Sequence, residues 1–351
     1  MDTLQFVPIL VVGFATSLGL TPLSRALAPR LGVVAVPSGR NIHKDRKPLM
    51  GGMAIYAGLA LALLLFSPEA YVTELLVVLL GAGFLATVGL LDDRYDLGIR
   101  IRLLAQVLAT VVLILAGIRI QLFGLWPLDA LLTIIWMVAI TNAVNFLDNM
   151  DGLAAGVTAI AGSAFTVIAF AEGLILVSML GAALAGSAIG FLIYNFNPAS
   201  SFMGDMGSLV LGFILAVLGI KLEFGTQPLS VTWMVPILVL ALPVFDINMV
   251  ILTRFLEKRP IGQGGKDHSS HRLMAAGLSQ RQTLLVLYGF CAIYGALGLI
   301  VSVAPPAIAL AVGAAGLVGL ALLLPFMFWL RRRYQLNAPA VVAEHEKGEG
   351  V

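Results

Sequence analysis

From its first residues to position 330 the sequence keeps returning to apolar runs close to the ~17–25 residues that a helix needs to cross a bilayer. Eleven such runs can be drawn, at 5–26, 50–66, 74–91, 103–118, 125–140, 153–170, 174–193, 206–220, 231–252, 283–303 and 307–330. The fourth and eighth are short, and losing one would make ten. Hydrophobic residues make up 60% of the chain and charged ones 11%, with a mean hydropathy of +1.00, which excludes a soluble domain. The strand alternation of a membrane barrel is missing. The expected fold is an all-α integral membrane protein, a polytopic bundle of about 11 transmembrane helices. A single domain over 1–336 and a polar cytoplasmic tail over 337–351 are expected. The first run has no basic n-region and no small-residue cleavage site, so it is expected to be retained. Cys291, the one cysteine, lies in an apolar run and reads as a packing residue. No internal repeat is evident, which disfavours the inverted-repeat transporters.

An odd number of crossings puts the termini on opposite sides. Nineteen of the 21 Lys and Arg then fall on one side, in the loops after the first, third and ninth runs and in the tail. Arg119 and Lys221 fall on the other. The positive-inside rule makes the rich side cytoplasmic, with the N-terminus outside and the C-terminus inside.

The polar groups follow the positive charge. "RNIHKDRKPLMGG", "LDDRYDLGIR", "NAVNFLDNMDGLAAG", "YNFNPASSFMGDMGS" and "GGKDHSSHRL" all belong to loops on the cytoplasmic side. The outside loops are short and plain. Random solvation would not sort acids, amides and histidines onto one face, so one active site facing the cytoplasm is expected.

Each stretch also has a plainer reading. Asp92, Asp93 and Asp96 form an acidic cluster whose mutual repulsion a divalent cation would relieve, and hard oxygen ligands suit Mg²⁺. Asp92 and Asp96, four apart, share a face if the helix continues; the alternative is a solvated helix end with Arg94 in surface pairs. Asp205, at the start of the eighth run, is either a helix cap or a metal ligand beside a helix N-terminus that favours phosphate. Asn142, Asn145, Asp148 and Asp151 recur every three residues, a row that moves half-way round a helix over nine residues. Asn145 and Asp148 can share a face, whereas Asp151, next to Gly152, needs the backbone to end or bend. An amide–carboxylate network locking helix ends would also explain the row. His268 and His271 stand in a Gly- and Ser-rich loop with no cysteine nearby, which points away from zinc and toward phosphate, or toward a basic surface loop. His345 sits in the tail. Lys44, Arg46 and Lys47 suit either a phosphate site or anionic lipid heads. Asp246 is an ionisable group inside a span, a functional candidate with no role that the sequence assigns.

Taken together, the five loops resemble one family, the polyprenyl-phosphate N-acetylhexosamine-1-phosphate transferases, the membrane superfamily of MraY and WecA. The resemblance runs from "HKDRKPLMGG" to "DHSSHRLMAAGLS". It implies transfer of a sugar 1-phosphate from a UDP-sugar to polyprenyl (undecaprenyl) phosphate at the cytoplasmic face of the plasma membrane, with Mg²⁺ (or Mn²⁺) and release of UMP. It implies Asp205, Asp92, Asp93 and Asp148 around the metal, and Asp92, Asp93, Asp205, His268 and His271 in catalysis. Lys44, Arg100, Asn145, Asp148, Asp151, Gly152, Asn195 and Phe202 would contact substrate, Phe202 by stacking on uracil. Family members are often homodimers, and nothing points to nucleic acid. One departure stands out: the family's His-x-His-His pattern reads "HSSH" here, with Ser270 in place of the middle histidine. That departure argues against the muramoyl-pentapeptide branch. The eleventh run and "DDRYDL" resemble the WecA/TagO-like branch, so UDP-GlcNAc is the expected donor, initiating cell-wall or surface polysaccharide synthesis.

The chemistry makes the same demands without a family name. The charge of a diphosphate must be neutralised as UMP leaves, and Mg²⁺ with Lys44 and Arg100 can do this. The acceptor is already an anion and needs little activation. Asp92 would take a residual proton or attack covalently, and a single displacement is favoured. The alternatives are UDP-MurNAc-pentapeptide transfer, a UbiA-like intramembrane prenyltransferase, which would need neither the His loop nor the Phe-Met-Gly-Asp motif, and a polytopic transporter.

Overall fold

The computed structural model describes residues 6–35, 47–225, 227–260 and 265–335. Lys44, Arg46, His345 and the tail 337–351 lie outside the described residues. Apolar runs without β-patterning become helices: α1 (Phe6–Leu31), α2 (Gly51–Phe66), α3 (Val72–Tyr95), α4 (Ile99–Leu115), α5 (Trp126–Leu147), α6 (Leu153–Ala171), α7 (Ile175–Asn195) and α8 (Gly204–Lys221). The second half of the chain adds α9 (Leu229–Thr232), α10 (Met234–Val239), α11 (Ala241–Leu256), α12 (Ser269–Ala275), α13 (Gln280–Val303) and α14 (Pro306–Gln335). Two short strands, β1 (Val34–Ala35) and β2 (Lys47–Pro48), pair antiparallel with Val34 opposite Pro48.

Among the described residues, eight helices are long and apolar enough to cross a membrane, nine if a bent pair is one span. The protein is therefore an all-α, multi-pass membrane protein. Every one of the eleven runs holds helix, but α2 and α4, at 16 and 17 residues, reach only about 24–26 Å at ~1.5 Å per residue. The ninth run differs from the straight helix expected over 231–252: α10 and α11 meet at 79°. Pro243 has no N–H to give the Val239 carbonyl and its ring crowds that carbonyl, so the helix breaks at Leu240, which has φ −97° and ψ 26°.

Burial orders the bundle. In the apolar windows of α7 and α8, 83% and 78% of residues are buried, against 22% in α1 and 17% in α14. α7 and α8 are the centre, and α1 and α14 face outward. α8 packs against α3 and α5, α7 against α1 and α6, and α13 joins α6 to α14. Backbones come close where side chains are smallest: a Cβ on Gly52 would lie 2.3 Å from the Gly207 nitrogen, and one on Gly186 2.1 Å from the Leu10 carbonyl. At one end of the bundle Lys221, closing α8, pairs with Glu74, opening α3, at 2.7 Å. The conspicuous acid, amide and histidine clusters lie at the opposite end.

Candidate active site at one end of the bundle

Consecutive helices alternate in direction, so the C-terminal ends of α3, α5 and α7 and the N-terminal ends of α4, α6 and α8 meet at one level. The first cluster forms there. Asp92 and Asp205, 113 positions apart in the chain, reach the same guanidinium nitrogen: Arg102 Nη1 lies 3.0 Å from Asp92 Oδ2 and 2.5 Å from Asp205 Oδ2. Asn145 Nδ2 donates to Asp205 Oδ1 at 2.7 Å and to Ser208 Oγ at 2.8 Å. Asp205 does not cap its own helix. Asp93 does that from α3, accepting from the Asp205 and Met206 N–H groups at 2.9 and 3.2 Å and satisfying two orphan donors of α8. A helix separates adjacent residues by about 100°, so two neighbouring carboxylates divide the work: Asp92 turns to the cation and Asp93 to α8.

One expectation changes here. Asp96 does not share a face with Asp92: α3 ends at Tyr95, and Asp96 adopts a left-handed conformation, φ 51°, and is exposed. Arg100 is exposed, and Arg102 is the arginine that meets the acids. Two residues along a helix are about 200° of rotation, which sends Arg100 the other way.

The second cluster surrounds Asp151. Asp151 Oδ2 accepts from the Ala199 N–H at 2.9 Å and from Asn197 Nδ2 at 3.2 Å, and Asn197 also donates to Gln280 at 2.7 Å. Asn195 is 1% exposed, with both ends of its amide used inside the fold. It accepts from the Gly152 N–H at 3.0 Å and donates to the Ser201 carbonyl at 3.0 Å. Gly152 has φ +79°, which a side chain would strain, and its carbonyl accepts from Tyr288 Oη at 2.5 Å. The backbone bend that the ladder requires at Asp151 and Gly152 is present, between α5 and α6. Phe202 is half-buried, with Lys47 Nζ 5.3 Å from its ring centre. Its backbone is held at both ends, its N–H by the Pro48 carbonyl and its carbonyl by the Gly51 N–H, each at 2.9 Å.

The third cluster is the histidine loop. His268 Nδ1 lies 2.7 Å from Asp246 Oδ2, and Ser269 donates through N–H and Oγ to Asp246 Oδ1, each at 2.7 Å. His271 stands beside it, rings 5.8 Å apart, its buried Nδ1 without a hydrogen-bond partner among the described residues. Burial and the neighbouring His268 hold His271 down to about 4, so it is neutral at physiological pH. Ser270, in place of the family's middle histidine, donates to Asn149 at 2.8 Å. The loop itself is anchored by Asp267, which meets Arg254, Arg259 and Arg331. Asp246, which the sequence left without a role, is the acid that holds the start of α12. Its signal was an acid inside an apolar run, which needs a partner.

The α5–α6 turn, 148–152, joins all three. Asn145 and Phe146, just before it, reach Asp205 and the His268 ring; Asn149 meets Ser270; Asp151 meets Ala199. Burial, and then the charges of Asp205, Asp93 and Asp151, push Asp148 well above the ordinary carboxylate range. Lys44, expected on the nucleotide, lies outside the described residues.

No three of the described His, Cys, Asp and Glu residues are grouped so as to hold a metal by themselves. Asp92 and Asp205 nevertheless converge on one cationic nitrogen. Two hard carboxylates fit Mg²⁺, which takes one or two acids and completes its shell with phosphate and water. Both Asp93 oxygens already accept from α8, so Asp93 holds the helix end that carries Asp205.

Comparisons with known proteins give the family. Residues 75–223 match the family model described as "Glycosyl transferase family 4". The chain is 36% identical over 295 residues to the "Probable undecaprenyl-phosphate N-acetylglucosaminyl 1-phosphate transferase" of Bacillus subtilis (strain 168), covering 81% of this chain and 82% of that one. It is 32% identical over 353 residues to the "Decaprenyl-phosphate N-acetylglucosaminephosphotransferase" of Mycobacterium leprae, covering 89% and 87%. It is 26% identical over 318 residues to the "Undecaprenyl-phosphate alpha-N-acetylglucosaminyl 1-phosphate transferase" of Yersinia pestis, covering 86% and 85%. These relatives make the protein a membrane-embedded phosphotransferase. The chain belongs to the polyprenyl-phosphate N-acetylhexosamine-1-phosphate transferase family, in the superfamily of MraY and WecA, as its loop motifs indicated. Family membership sets aside the prenyltransferase and transporter alternatives.

Proposed function

We propose that this protein transfers N-acetylglucosamine 1-phosphate from UDP-GlcNAc to a polyprenyl phosphate, releases UMP, and so begins a cell-wall or surface polymer. The observation that carries this reading is the Asp92–Arg102–Asp205–Asn145 cluster, drawn from four helices to one end of the bundle. The reaction breaks a phosphorus–oxygen bond and leaves the anomeric carbon untouched. The acceptor phosphate attacks the sugar-bearing phosphorus, the bond to UMP breaks, and the electron pair leaves on the UMP phosphate.

Asp205 and Asp92 would hold Mg²⁺, or Mn²⁺ in its place. When bound, the ion supplies charge neutralisation for the diphosphate. Arg102 adds a fixed positive charge at the same point, and the N-terminus of α8 presents its dipole to the phosphates. Asn145 keeps Asp205 aimed by holding Oδ1, while Asp93 holds the first turn of α8 against α3. Asp148, at the end of α5, would join the acids around the ion, as the resemblance implies. Asp151, Gly152 and Asn195 shape the wall that would receive the nucleoside, and Phe202 offers a ring to its base. Lys44 would contact the nucleotide.

All eleven apolar runs would cross the plasma membrane, α2 and α4 as short spans and α9–α11 as a broken one. The N-terminus would lie outside, and the C-terminus and the active site would face the cytoplasm. The distribution of Lys and Arg supports this orientation. A homodimer would suit the family.

Membranes carrying the protein should turn carbon-14-labelled UDP-GlcNAc into a labelled lipid in a Mg²⁺-dependent way, and Asp205→Asn should lower the rate at least ~100-fold. UDP-GalNAc and UDP-MurNAc-pentapeptide, tested beside it, should give little product. Labelled lipid formed equally well by Asp205→Asn would remove the assignment of the site, and preference for UDP-MurNAc-pentapeptide would remove the assignment of the donor.

A further inference from the structure

The break between α10 and α11 leaves Asp246 in the second turn of α11, 0% exposed, within an apolar run. A buried carboxylate is costly unless its oxygens are satisfied. Here three donors satisfy it. Ser269 gives its backbone N–H and its hydroxyl to Oδ1, and His268 faces Oδ2 through Nδ1, all at 2.7 Å. The carboxylate is the acceptor in this set, so Nδ1 carries the hydrogen and Nε2 is the ring nitrogen left for a ligand.

The ring is held on other sides too. Phe146 meets it edge-on, with centroids 6.0 Å apart and planes at 84°. Phe146 directly follows Asn145, whose amide holds Asp205. The histidine is therefore packed against the same turn of α5 that aims the acid cluster. It is 6% exposed, so it has little freedom to choose another rotamer.

We propose that Asp246 is a positioning residue for the transfer reaction: it fixes the ring and the tautomer of His268 so that Nε2 is presented to the substrate phosphates. This rests on the transfer reading above. Ser269 is the second half of the device. By occupying Oδ1 twice it keeps Oδ2 turned to the imidazole. The loop's "HSSH" sequence acquires a meaning from this: the first Ser holds the acid and the second holds Asn149 of the α5–α6 turn.

A purely structural role would have Asp246 dock α12 onto α11 and nothing more. Four forms of the full-length enzyme in nanodiscs separate the two: wild type, Asp246→Asn, His268→Gln, and the double variant. Asp246→Asn keeps the shape and an acceptor oxygen but puts an amide donor among three donors, so the imidazole must turn or change tautomer. The expected result is a fall in kcat of roughly 100-fold or more with KM for UDP-GlcNAc within threefold of wild type, by analogy with acid-to-amide changes in other His–Asp pairs. The double variant should be no slower than His268→Gln alone, because groups acting as one unit are not additive. Losses that multiply in the double variant would overturn the proposal, as would wild-type kcat in Asp246→Asn. If Asp246→Asn does not fold, Ser269→Ala carries the test: a kcat lowered severalfold at unchanged KM supports the proposal, and wild-type kcat refutes it. Nitrogen-15 spectra of the histidines should show His268 protonated on Nδ1 in wild type, and Nε2-only protonation would refute the pairing. That spectrum is readable even if no labelled lipid forms, so failure of the pairing and failure of the transfer reading give different results.

Discussion

Gly89 sits in α3 where that helix crosses the first turn of α8. A Cβ built there would stand 2.5 Å from the Asp205 carbonyl carbon, 2.5 Å from the Met206 nitrogen and 2.6 Å from the Asp205 oxygen. Ordinary contact starts near 3.4 Å, so Gly89→Ala must drive the two backbones apart by about 1 Å, and no flexible side-chain tip is available to give way. The displaced atoms belong to Asp205 itself. Its N–H and that of Met206 are held by Asp93 at 2.9 and 3.2 Å, and its carboxylate by Arg102 and Asn145 at 2.5 and 2.7 Å. A shift of ~1 Å breaks or stretches all four. Overpacking of this kind costs ~1–3 kcal/mol of stability, and misplacing a catalytic group by ~1 Å costs about 100-fold in rate. Gly19, exposed on α1 with nothing within 4 Å of its would-be Cβ, is the control, and Gly19→Ala should be neutral to slightly stabilising. The assay is labelled-lipid formation by purified protein beside a melting curve in the same detergent. Gly89→Ala at wild-type kcat and wild-type melting temperature would refute the reasoning, since the close approach of α3 and α8 is its only premise.

Asn195→Ala should lower stability by about 1–3 kcal/mol for each buried group it strands, the Gly152 N–H and the Ser201 carbonyl, which chemical or thermal denaturation would register. Burial opposes the ionised form of Asp267, but the hydrogen bond and charge of Arg259, with Arg254 and Arg331, outweigh it and hold its carboxyl below the usual range. A carboxyl depressed in the folded state adds stability above its unfolded value, near ~3.9, and loses that contribution as pH falls through the lower folded value. The melting-temperature difference between wild type and Asp267→Asn should therefore be full at pH 6–7 and shrink below about pH 4. A difference independent of pH would show that the ion pairs are not its source.

Most of the bundle could be read from hydropathy because a membrane-spanning helix satisfies its own backbone and shows lipid a continuous apolar surface. Reading stopped where polarity and helix coexist. The fifth run ends at 140 in hydropathy, yet α5 continues to Leu147, since Asn142 and Asn145 turn inward to Gln106 and Asp205. The broken ninth span was legible only as two prolines, Pro236 and Pro243, inside an otherwise uniform run. Motif composition singled out Asp92, Asp205 and His268 as candidates, because such groups have few other reasons to gather beside a membrane. It could not divide Asp92 from Asp93, or Arg100 from Arg102, since those choices depend on helix phase at the last turn. The partnership of Asp246 with His268 spans 22 positions across a loop and belongs to the tertiary fold alone.

The stretch 145–152, the end of α5 with the turn after it, has a mechanical consequence. A single short piece of backbone bears on the acids, on the asparagine–glycine wall and on the histidine loop, so it works like a shared axle. A molecule that shifts this backbone on binding at any one of the three would shift it for the other two. Donor and acceptor binding should then be thermodynamically linked although the two ligands need never touch.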